Sequence, residues 1–374
     1  MPGLYVHIPF CLKKCAYCDF ASVVGHGERM ESYVSAVLRE TALRREECSL
    51  TFDTVYFGGG TPTCLPVELL ARLVEGIEGC FSILPGAERT VEMNPGTATA
   101  PKLWELRKMG FNRLSMGLQA KHLHLLRILG RVHTAEEGEK AFRAARDAGF
   151  CNINLDLMLG LPEQTREDLL ESVAWVMGLG PEHIALYDLQ LEEGTVLHKQ
   201  VEAGELVLPS EEDGLAMFYA ALETLAAGGY RRYEISNFAK PGMESRHNLH
   251  YWRNHEYLGL GCAAASRLGS TRWVNTVDLE DYIRSTQSGI LPVAENQRLI
   301  PEDSAFETLM LGLRLTEGIS LAEYAARHDI DLREKFAPLW ERFVREGLLL
   351  LDNGQVKLTS RGMDVQNAVL VEMM

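Results

Sequence analysis

The segment Tyr5-Val-His-Ile-Pro-Phe-Cys11-Leu-Lys-Lys-Cys15-Ala-Tyr-Cys18 decides the fold of this chain. Its first half is an apolar run typical of a buried β-strand, and its second half places three thiols on one short loop. A cubic iron–sulfur cluster that only transfers electrons normally has four cysteine ligands, so three cysteines leave one iron free to bind another molecule. The alternatives are three unrelated thiols or a structural zinc site that also uses His7, although such zinc sites more often contain paired CxxC knuckles.

The composition limits the class of protein. The chain has 374 residues, 46% of them hydrophobic, which is enough for one large domain and one small one. A formal net charge of −15 repels polyanions, so we expect no nucleic acid partner. No signal peptide precedes Cys11 and no apolar run of about 18 residues is present, which predicts a cytoplasmic protein. The five other cysteines are widely spaced and are expected to be buried thiols.

Apolar β-type runs alternate with amphipathic helical stretches through residues 1–235, the pattern of strand–helix units with a parallel sheet. The sequence therefore predicts an α/β domain, a partial (β/α)6 barrel that is TIM-like but incomplete. Gly110 and Gly149 stand where left-handed glycines would end two of its helices. The predicted strands are Gly3–Pro9, Thr54–Phe57, Thr90–Met93, Arg113–Gly117, Asn152–Leu157 and His183–Leu189.

Residues 301–374 show a different pattern. Three helical stretches precede two short apolar runs joined by Asp352-Asn353-Gly354, and Asn-Gly between strands is a strong hairpin signal. We expect a small α+β, winged-helix-like domain here, with residues 236–300 as a connecting segment. The domain lacks a basic recognition face, which favours packing or partner docking over DNA binding. The predicted helices are Phe306–Leu315, Leu321–His328 and Leu332–Glu346.

Polar residues recur where the predicted barrel strands end. In barrels of parallel strands the chemistry lies at the carboxyl ends, where the strand-to-helix loops converge. The glycine-rich run Gly58–Thr61 follows one strand, and glycines let a backbone approach a ligand closely. Glu92 and Asp156 lie at other strand ends, with Gln119 and Arg131 beside them. We expect these groups to form one cofactor site.

The spacing CxxxCxxC resembles that of the radical SAM superfamily, in which S-adenosylmethionine binds the free iron of a [4Fe–4S] cluster. Together with Gly-Gly-Gly-Thr-Pro-Thr, Glu-x-Asn-Pro, Ser-Met-Gly-Leu-Gln, Leu-Gly-Arg-x-His and Asp-Leu-Met-x-Gly-Leu-Pro, it is similar to the oxygen-independent coproporphyrinogen III oxidase group of radical SAM proteins over nearly the whole chain. The resemblance implies cluster ligation by Cys11, Cys15 and Cys18. It also implies S-adenosylmethionine contacts from Tyr5, Tyr17, Gly59, Gly60, Thr61, Glu92, Gln119, Arg131 and Asp156.

Two departures separate this chain from the dehydrogenases of that group. Their motif has a further cysteine two residues after the third, where this chain has Phe20, and they carry an extension before the first strand. His247-Asn248-Leu-His-Tyr251-Trp252 matches the HNxxYW segment that is associated with heme binding in the heme-chaperone (HemW) branch. Imidazole is able to ligate heme iron and aromatic rings pack on the porphyrin. The resemblance thus implies heme contacts from His247, Asn248, Tyr251 and Trp252, with His250 as a weaker candidate ligand.

One further departure concerns the heme ligand. Chaperone relatives commonly read Gly-Ala-His after the Tyr257-Leu-Gly-Leu-Gly run, whereas this chain has Cys262-Ala-Ala-Ala265. A histidine is therefore missing near the expected heme site. Cys262 is expected to be a buried structural thiol rather than a replacement ligand.

The resemblance implies a heme chaperone that binds a [4Fe–4S] cluster, S-adenosylmethionine and heme, and transfers the heme to apo-hemoproteins. Reduced flavodoxin or ferredoxin is the implied electron donor, and the implied membrane contact is only indirect, through a hemoprotein client. The alternative is an oxygen-independent coproporphyrinogen III dehydrogenase, in which a radical derived from S-adenosylmethionine starts the decarboxylation of a propionate to a vinyl group. A different radical reaction on a tetrapyrrole is the third alternative. The missing cysteine favours the chaperone.

Overall fold

The computed structural model describes residues 1–374. Its strands, in chain order, are β1 (Gly3–Ile8), β2 (Phe10–Cys11), β3 (Val23–Val24), β4 (Thr51–Gly59), β5 (Ser82–Met93), β6 (Arg113–Gln119), β7 (Ile153–Leu159), β8 (His183–Asp188), β9 (Arg231–Arg232), β10 (Asn237–Ala239), β11 (Tyr257–Leu260), β12 (Ala265–Leu268), β13 (Thr271–Asn275), β14 (Val293–Arg298), β15 (Ile319–Ser320), β16 (Leu349–Asp352) and β17 (Gln355–Leu358). Its helices are α1 (Met30–Glu47), α2 (Val67–Cys80), α3 (Ala100–Lys108), α4 (Leu123–Ile128), α5 (Ala135–Asp147), α6 (Arg166–Leu179), α7 (Val196–Glu202), α8 (Glu211–Ala227), α9 (Arg246–Trp252), α10 (Leu279–Gln287), α11 (Pro301–Gly312), α12 (Leu321–His328), α13 (Leu332–Arg345), α14 (Ser360–Asp364) and α15 (Gln366–Val371).

The main sheet is built around six parallel strands. β1, β4, β5, β6, β7 and β8 lie side by side in chain order. Their side chains and those of the connecting helices form most of a core of 50 buried residues, to which β11, β13 and α10 also contribute. The α/β class and the predicted sequence of strand–helix units are confirmed. Gly110 (φ +90°) and Gly149 (φ +91°) adopt the left-handed conformation predicted for them just beyond α3 and α5.

Residues 236–300 extend this sheet at both edges, which the sequence pattern did not predict. β11 pairs in parallel with β1 on the side opposite β4, and β12, β13 and β14 continue the sheet in antiparallel order. At the far edge β10 pairs antiparallel with β8, and β9 with β10. β1 consequently lies between two parallel neighbours. That position suits an apolar strand, because parallel sheets are covered on both faces.

A buried carboxylate fastens α1 to the added strands. Glu40 is fully buried and accepts hydrogen bonds from the backbone N–H of Gly261 (2.9 Å), the hydroxyl of Tyr282 (2.6 Å) and the amide of Asn275 (2.7 Å). Arg44, one helical turn later, lies 3.7 Å from its carboxylate. Burial raises the pKa of Glu40, while these hydrogen bonds favour the ionised form. α1, β11, β13 and α10 thus share one polar junction.

The C-terminal part has its own core and its own sheet. β15, β17 and β16 form a three-stranded antiparallel sheet, and a separate cluster of 16 buried residues packs it against α11, α12 and α13. The helix Leu321–His328 has its predicted bounds. The predicted hairpin is also confirmed, with Asn353 (φ +49°) and Gly354 (φ +78°) both left-handed as a tight turn requires. Every helix in the chain is too short or too polar to cross a lipid bilayer.

We expect Glu40→Ala to lower the free energy of unfolding by about 3–5 kcal/mol, because it leaves three buried hydrogen-bond donors without their acceptor and leaves the buried Arg44 with only the exposed carboxylate of Glu47 as a partner. Denaturant unfolding followed by circular dichroism measures the change. Glu139→Ala is the matched control, since Glu139 forms an exposed pair with Arg143 within α5; its effect is expected to stay within about 0.5 kcal/mol. Equal losses in the two variants would contradict the structural role of Glu40.

Candidate functional site

β1 carries the cysteine loop to the carboxyl end of the sheet. After β1 and Pro9, β2 pairs with β3, so the loop between them is held at both ends. Cys11, Cys15 and Cys18 are half-buried free thiols. The backbone of Ala16, in the middle of the loop, donates a hydrogen bond to Leu129 O (2.9 Å) and accepts one from the N–H of Leu197 (2.8 Å). The loop is therefore anchored to two later parts of the barrel.

The loop covers a cavity of about 470 Å³ at the carboxyl ends of β4–β8. This volume is in the range of small-molecule sites in proteins. Tyr5, which resemblance placed at the cofactor, lies outside the cavity; its hydroxyl bonds to His7 Nδ1 (3.0 Å). The other residues expected at the cluster and at S-adenosylmethionine line the cavity together: Cys11, Cys15, Tyr17, Cys18, Gly59, Gly60, Thr61, Glu92, Gln119, Arg131 and Asp156.

The glycine-rich run fits against the cysteine strand. Gly60 donates to Ile8 O and Thr61 to Phe10 O, both at 2.9 Å, and a Cβ on Gly60 would come within 2.9 Å of the carbonyl oxygens of Pro9 and Phe10. Thr61 Oγ1 lies 3.7 Å from Cys11 Sγ. Close packing of two backbones therefore requires a glycine here, whether or not a ligand is bound.

Two buried carboxylates face the cavity. Glu92 accepts hydrogen bonds from the Tyr56 hydroxyl (2.7 Å) and the Gly59 N–H (3.1 Å), and Asp156 accepts one from the Asn154 amide (2.5 Å). Burial raises the pKa of Glu92 to about 7 and that of Asp156 to about 6. Groups of this kind bind ligand ammonium or hydroxyl groups well, because a donor from the ligand replaces the lost solvation.

Arg131 reaches from the α4–α5 connection to the cysteine loop. Its guanidinium donates to Cys15 Sγ (3.5 Å) and to Asn94 Oδ1 (2.6 Å). Asn94 in turn donates to Thr61 Oγ1 (2.9 Å). Arg131 was among the cofactor contacts expected from the sequence and Asn94 was not, although the Glu-x-Asn-Pro motif contains Asn94. Asn94 connects the cysteine, glycine and arginine loops.

The donor set suits a cluster bound by three thiolates. Three free thiols and a guanidinium lie at one cavity wall. Neither these three thiols nor any other three His, Cys, Asp or Glu side chains of the chain are gathered around one point as the ligands of a single metal ion would be. Burial raises the pKa of the Cys11 and Cys18 thiols, so cluster binding must release their protons. Arg131 supplies a positive charge beside the thiolates.

The HNxxYW segment lies at the opposite end of the barrel. It forms α9, beneath the amino ends of the strands, where Thr54 Oγ1 bonds to His247 Nδ1 (2.8 Å) and Glu88 accepts the His247 backbone N–H (3.0 Å). His247 Nε2 bonds to the Tyr251 hydroxyl (3.0 Å). Both ring nitrogens are thus engaged in a side chain that is 1% exposed. Burial lowers the pKa of His247 to about 3, so the ring is neutral.

One side chain connects the cavity to α9 through the interior of the barrel. Tyr56, which donates to Glu92 in the cavity, stacks on the His247 ring with centroids 5.1 Å apart. Sequence reasoning missed Tyr56, because nothing in the local pattern marks it as more than a strand residue. The floor of the cavity is consequently packed directly against α9.

The remaining residues of the segment are placed differently. Trp252 is half-buried and lies under the guanidinium of Arg314 from the C-terminal part, 4.3 Å from the ring centroid. Asn248 is half-buried, and its backbone N–H donates to the capping hydroxyl of Ser245 (3.3 Å). Cys262 is buried in the main core, as expected of a structural thiol. Trp252 therefore connects the segment to the C-terminal part.

Fold and site define a radical SAM protein, and comparison with known proteins agrees. The family model "Radical SAM superfamily" matches residues 5–176, and the model "HemN C-terminal domain" matches residues 299–365. The structure described as "Coproporphyrinogen III oxidase (HemN) from Escherichia coli is a Radical SAM enzyme" has the same fold, with a TM-score of 0.88. The match covers 100% of the present chain and 90% of the chain in that structure. The sequence identity of 24% limits that likeness to the fold.

Sequence relatives define the family more narrowly. "Heme chaperone HemW" of Bacillus subtilis (strain 168) is 36% identical over 99% of this chain and 98% of the relative. "Heme chaperone HemW" of Escherichia coli (strain K12) is 32% identical over 98% and 97%, respectively. The chain belongs to the HemW family.

The raised pKa of Glu92 predicts a pH-dependent cost in stability. The folded chain holds the Glu92 proton more tightly than the unfolded chain, so the favourable contribution is complete below about pH 4.5 and is lost as the pH rises through about 7. Glu92→Gln removes this titration. In thermal unfolding without S-adenosylmethionine, the Tm of Glu92→Gln relative to wild type is expected to rise by a few degrees between pH 5 and pH 8.

Glu75→Gln, the same substitution on the exposed face of α2, is the control for the chemical change itself. A constant difference for Glu92→Gln would show that the carboxyl ionises normally.

Proposed function

We propose that the protein is a heme chaperone, which binds heme and transfers it to apo-hemoproteins. The observation that carries this proposal is the near full-length similarity to relatives named heme chaperone HemW, at 36% identity in the Bacillus subtilis case. Phe20 supports it, since this side chain lines the cavity at the position where the dehydrogenases have a further cysteine. The cytosol is the proposed location, because all eight cysteines are free thiols and the cytosol keeps thiols reduced.

Cys11, Cys15 and Cys18 are the proposed ligands of a [4Fe–4S] cluster, which would supply an iron without a protein ligand for S-adenosylmethionine and an electron for the reduction of its sulfonium. Glu92 and Asp156 would accept hydrogen bonds from the ammonium and hydroxyl groups of that cofactor. Arg131 would offset the negative charge of the cluster at Cys15. The exposed side chains of Lys13 and Lys14 lie on the same loop and suit an acidic electron donor, such as reduced flavodoxin or ferredoxin.

Heme is proposed to bind at α9, with His247, Asn248, Tyr251 and Trp252 as the contributing residues. In the free chain Trp252 is the residue of this set that faces the C-terminal part. His247 and Tyr251 bond to each other inside the barrel, so their contribution is to hold α9 in place. A hemoprotein client would receive the heme from this end of the molecule, and any membrane contact would be through that client.

The alternative function is oxygen-independent coproporphyrinogen III dehydrogenase. The cavity and its carboxylates are compatible with this alternative, because they would hold S-adenosylmethionine equally well in an enzyme. The reaction requires a radical to reach a propionate side chain inside the cavity, where this chain presents Phe20 instead of a cysteine.

We expect Cys15→Ser to reduce the iron content to background after anaerobic reconstitution, because two thiolates do not hold a cubane firmly. Iron and sulfide analysis with electron paramagnetic resonance measures the loss. Cys151→Ser, at an exposed cysteine far from the loop, is the control and should retain the full cluster. Four irons per chain in Cys15→Ser would refute the assignment of the motif.

The proposed function is tested by titrating hemin into the reconstituted protein, with and without S-adenosylmethionine, and then adding an apo-globin as acceptor. We expect stoichiometric binding, a Soret change on transfer, and no consumption of coproporphyrinogen III under reducing conditions. Absence of hemin binding would overturn the chaperone function. Formation of protoporphyrinogen would establish the dehydrogenase.

A further inference from the structure

A groove separates the lower end of the barrel from the C-terminal part, next to α9. It consists of two cavities, of about 580 and about 620 Å³, that share His255 and Arg327. Trp252 lines one of them. Each cavity is within the range of ligand sites in proteins. We call these two cavities together the lower groove.

A chain of hydrogen bonds orients His255 within the lower groove. The buried His250 bonds through Nε2 to Asp53 Oδ1 (2.9 Å) and through Nδ1 to His255 Nδ1 (3.1 Å). A carboxylate accepts a proton donor, so His250 Nε2 carries the hydrogen and His250 Nδ1 is the acceptor. His255 Nδ1 is then the donor, which leaves the lone pair on His255 Nε2.

This arrangement is the one that metal-binding histidines usually have. Their second ring nitrogen donates to an acceptor that fixes the tautomer and the ring orientation. His255 Nε2 has no hydrogen-bond partner and is not sealed from solvent. Burial, together with the neighbouring His250, lowers the pKa of His255 to about 4, so the imidazole is neutral at physiological pH.

Two arginines in the same groove lack carboxylate partners. Arg267 (2.7 Å) and Arg327 (2.6 Å) both donate to the carbonyl oxygen of Asn254, which brings their guanidinium groups together. Neither forms an ion pair, and the carboxylate of Glu256, which lines the same groove, acts on both only at longer range. Burial lowers the pKa of Arg327, and the charge of Arg267 adds to this effect. In a chain of net charge −15, such a pair is a local site for anionic groups.

We propose that heme binds in the lower groove with His255 Nε2 as an axial ligand of the iron and with its propionates at Arg267 and Arg327. This inference rests on the proposed heme-chaperone function and names the ligand within it. Trp252 supplies an aromatic surface at one side of the groove. Asp53 and His250 are positioning residues, since they act on the heme only through the orientation of His255.

The test uses full-length protein with a reconstituted cluster, titrated with hemin and, separately, with iron-free protoporphyrin IX. His255→Ala is expected to weaken hemin binding by about tenfold or more and to change the iron spin state seen by electron paramagnetic resonance, while protoporphyrin IX binding stays unchanged. Added imidazole should restore the wild-type iron spectrum. Arg327→Gln should weaken the binding of both porphyrins.

His328→Ala is the matched control. His328 also lines the lower groove, but its Nε2 bonds to Thr308 Oγ1 (2.9 Å) and is not free to bind iron, so the iron spectrum should be that of the wild type. Asp53→Asn is the test for positioning and is expected to weaken hemin binding without affecting the cluster content. Circular dichroism and iron analysis confirm that each variant is folded and loaded.

The outcomes separate this inference from the function it rests on. If wild-type protein binds no hemin, the chaperone function itself fails. If wild-type protein binds hemin and His255→Ala binds it with the same affinity and the same iron spectrum, the function stands and the ligand assignment is overturned. A changed iron spectrum in His328→Ala together with an unchanged iron spectrum in His255→Ala also overturns the ligand assignment.

Discussion

The backbone contact between the Gly58–Thr61 run and β1 is the constraint on which the rest of the site depends. β1 is hydrogen-bonded on both sides, to β4 and to β11, so its position in the sheet is fixed. The glycine run then bonds to Ile8 O and Phe10 O, at the point where the chain leaves the sheet toward Cys11. No side chain fits between the two backbones, so they pack closely at this point. This close packing places the cysteine loop over the carboxyl ends of the neighbouring strands.

The interior of the barrel connects this upper site to the lower end. Glu92 faces the cavity and bonds to Tyr56, and Tyr56 stacks on His247 of α9. The HNxxYW segment therefore closes the floor of the barrel, and its histidine is a packed, doubly hydrogen-bonded side chain. An interior of this kind is costly to rearrange, because each polar group moved must find a new partner. Cofactor cavity and α9 accordingly form one packed unit.

Below α9 the same barrel presents a different chemistry. The Asp53–His250–His255 chain leaves a lone pair on a histidine that lines the lower groove, and the two guanidinium groups at Asn254 O have no carboxylate within ion-pair distance. The upper cavity, in contrast, is lined by thiols and carboxylates. The two ends of one barrel thus suit different ligands, a cluster with its cofactor above and an anionic, metal-containing ligand below. The C-terminal part completes the second site, since Arg327 belongs to α12.

Much of the upper site was determined by sequence, and little of the lower one. The cysteine spacing, the order of the six strands, the helix-ending glycines and the Asn353-Gly354 turn are local properties, because hydrophobic period and backbone conformation act over a few residues. Convergence of the strand-end residues then followed from the rule for parallel barrels. What only the tertiary structure decided is the position of β11 beside β1, the placement of α9 under the barrel, and the joining of Asp53 to His250. These depend on pairings between residues that are far apart in the sequence, such as Thr54 with His247, and no local pattern encodes such a pairing.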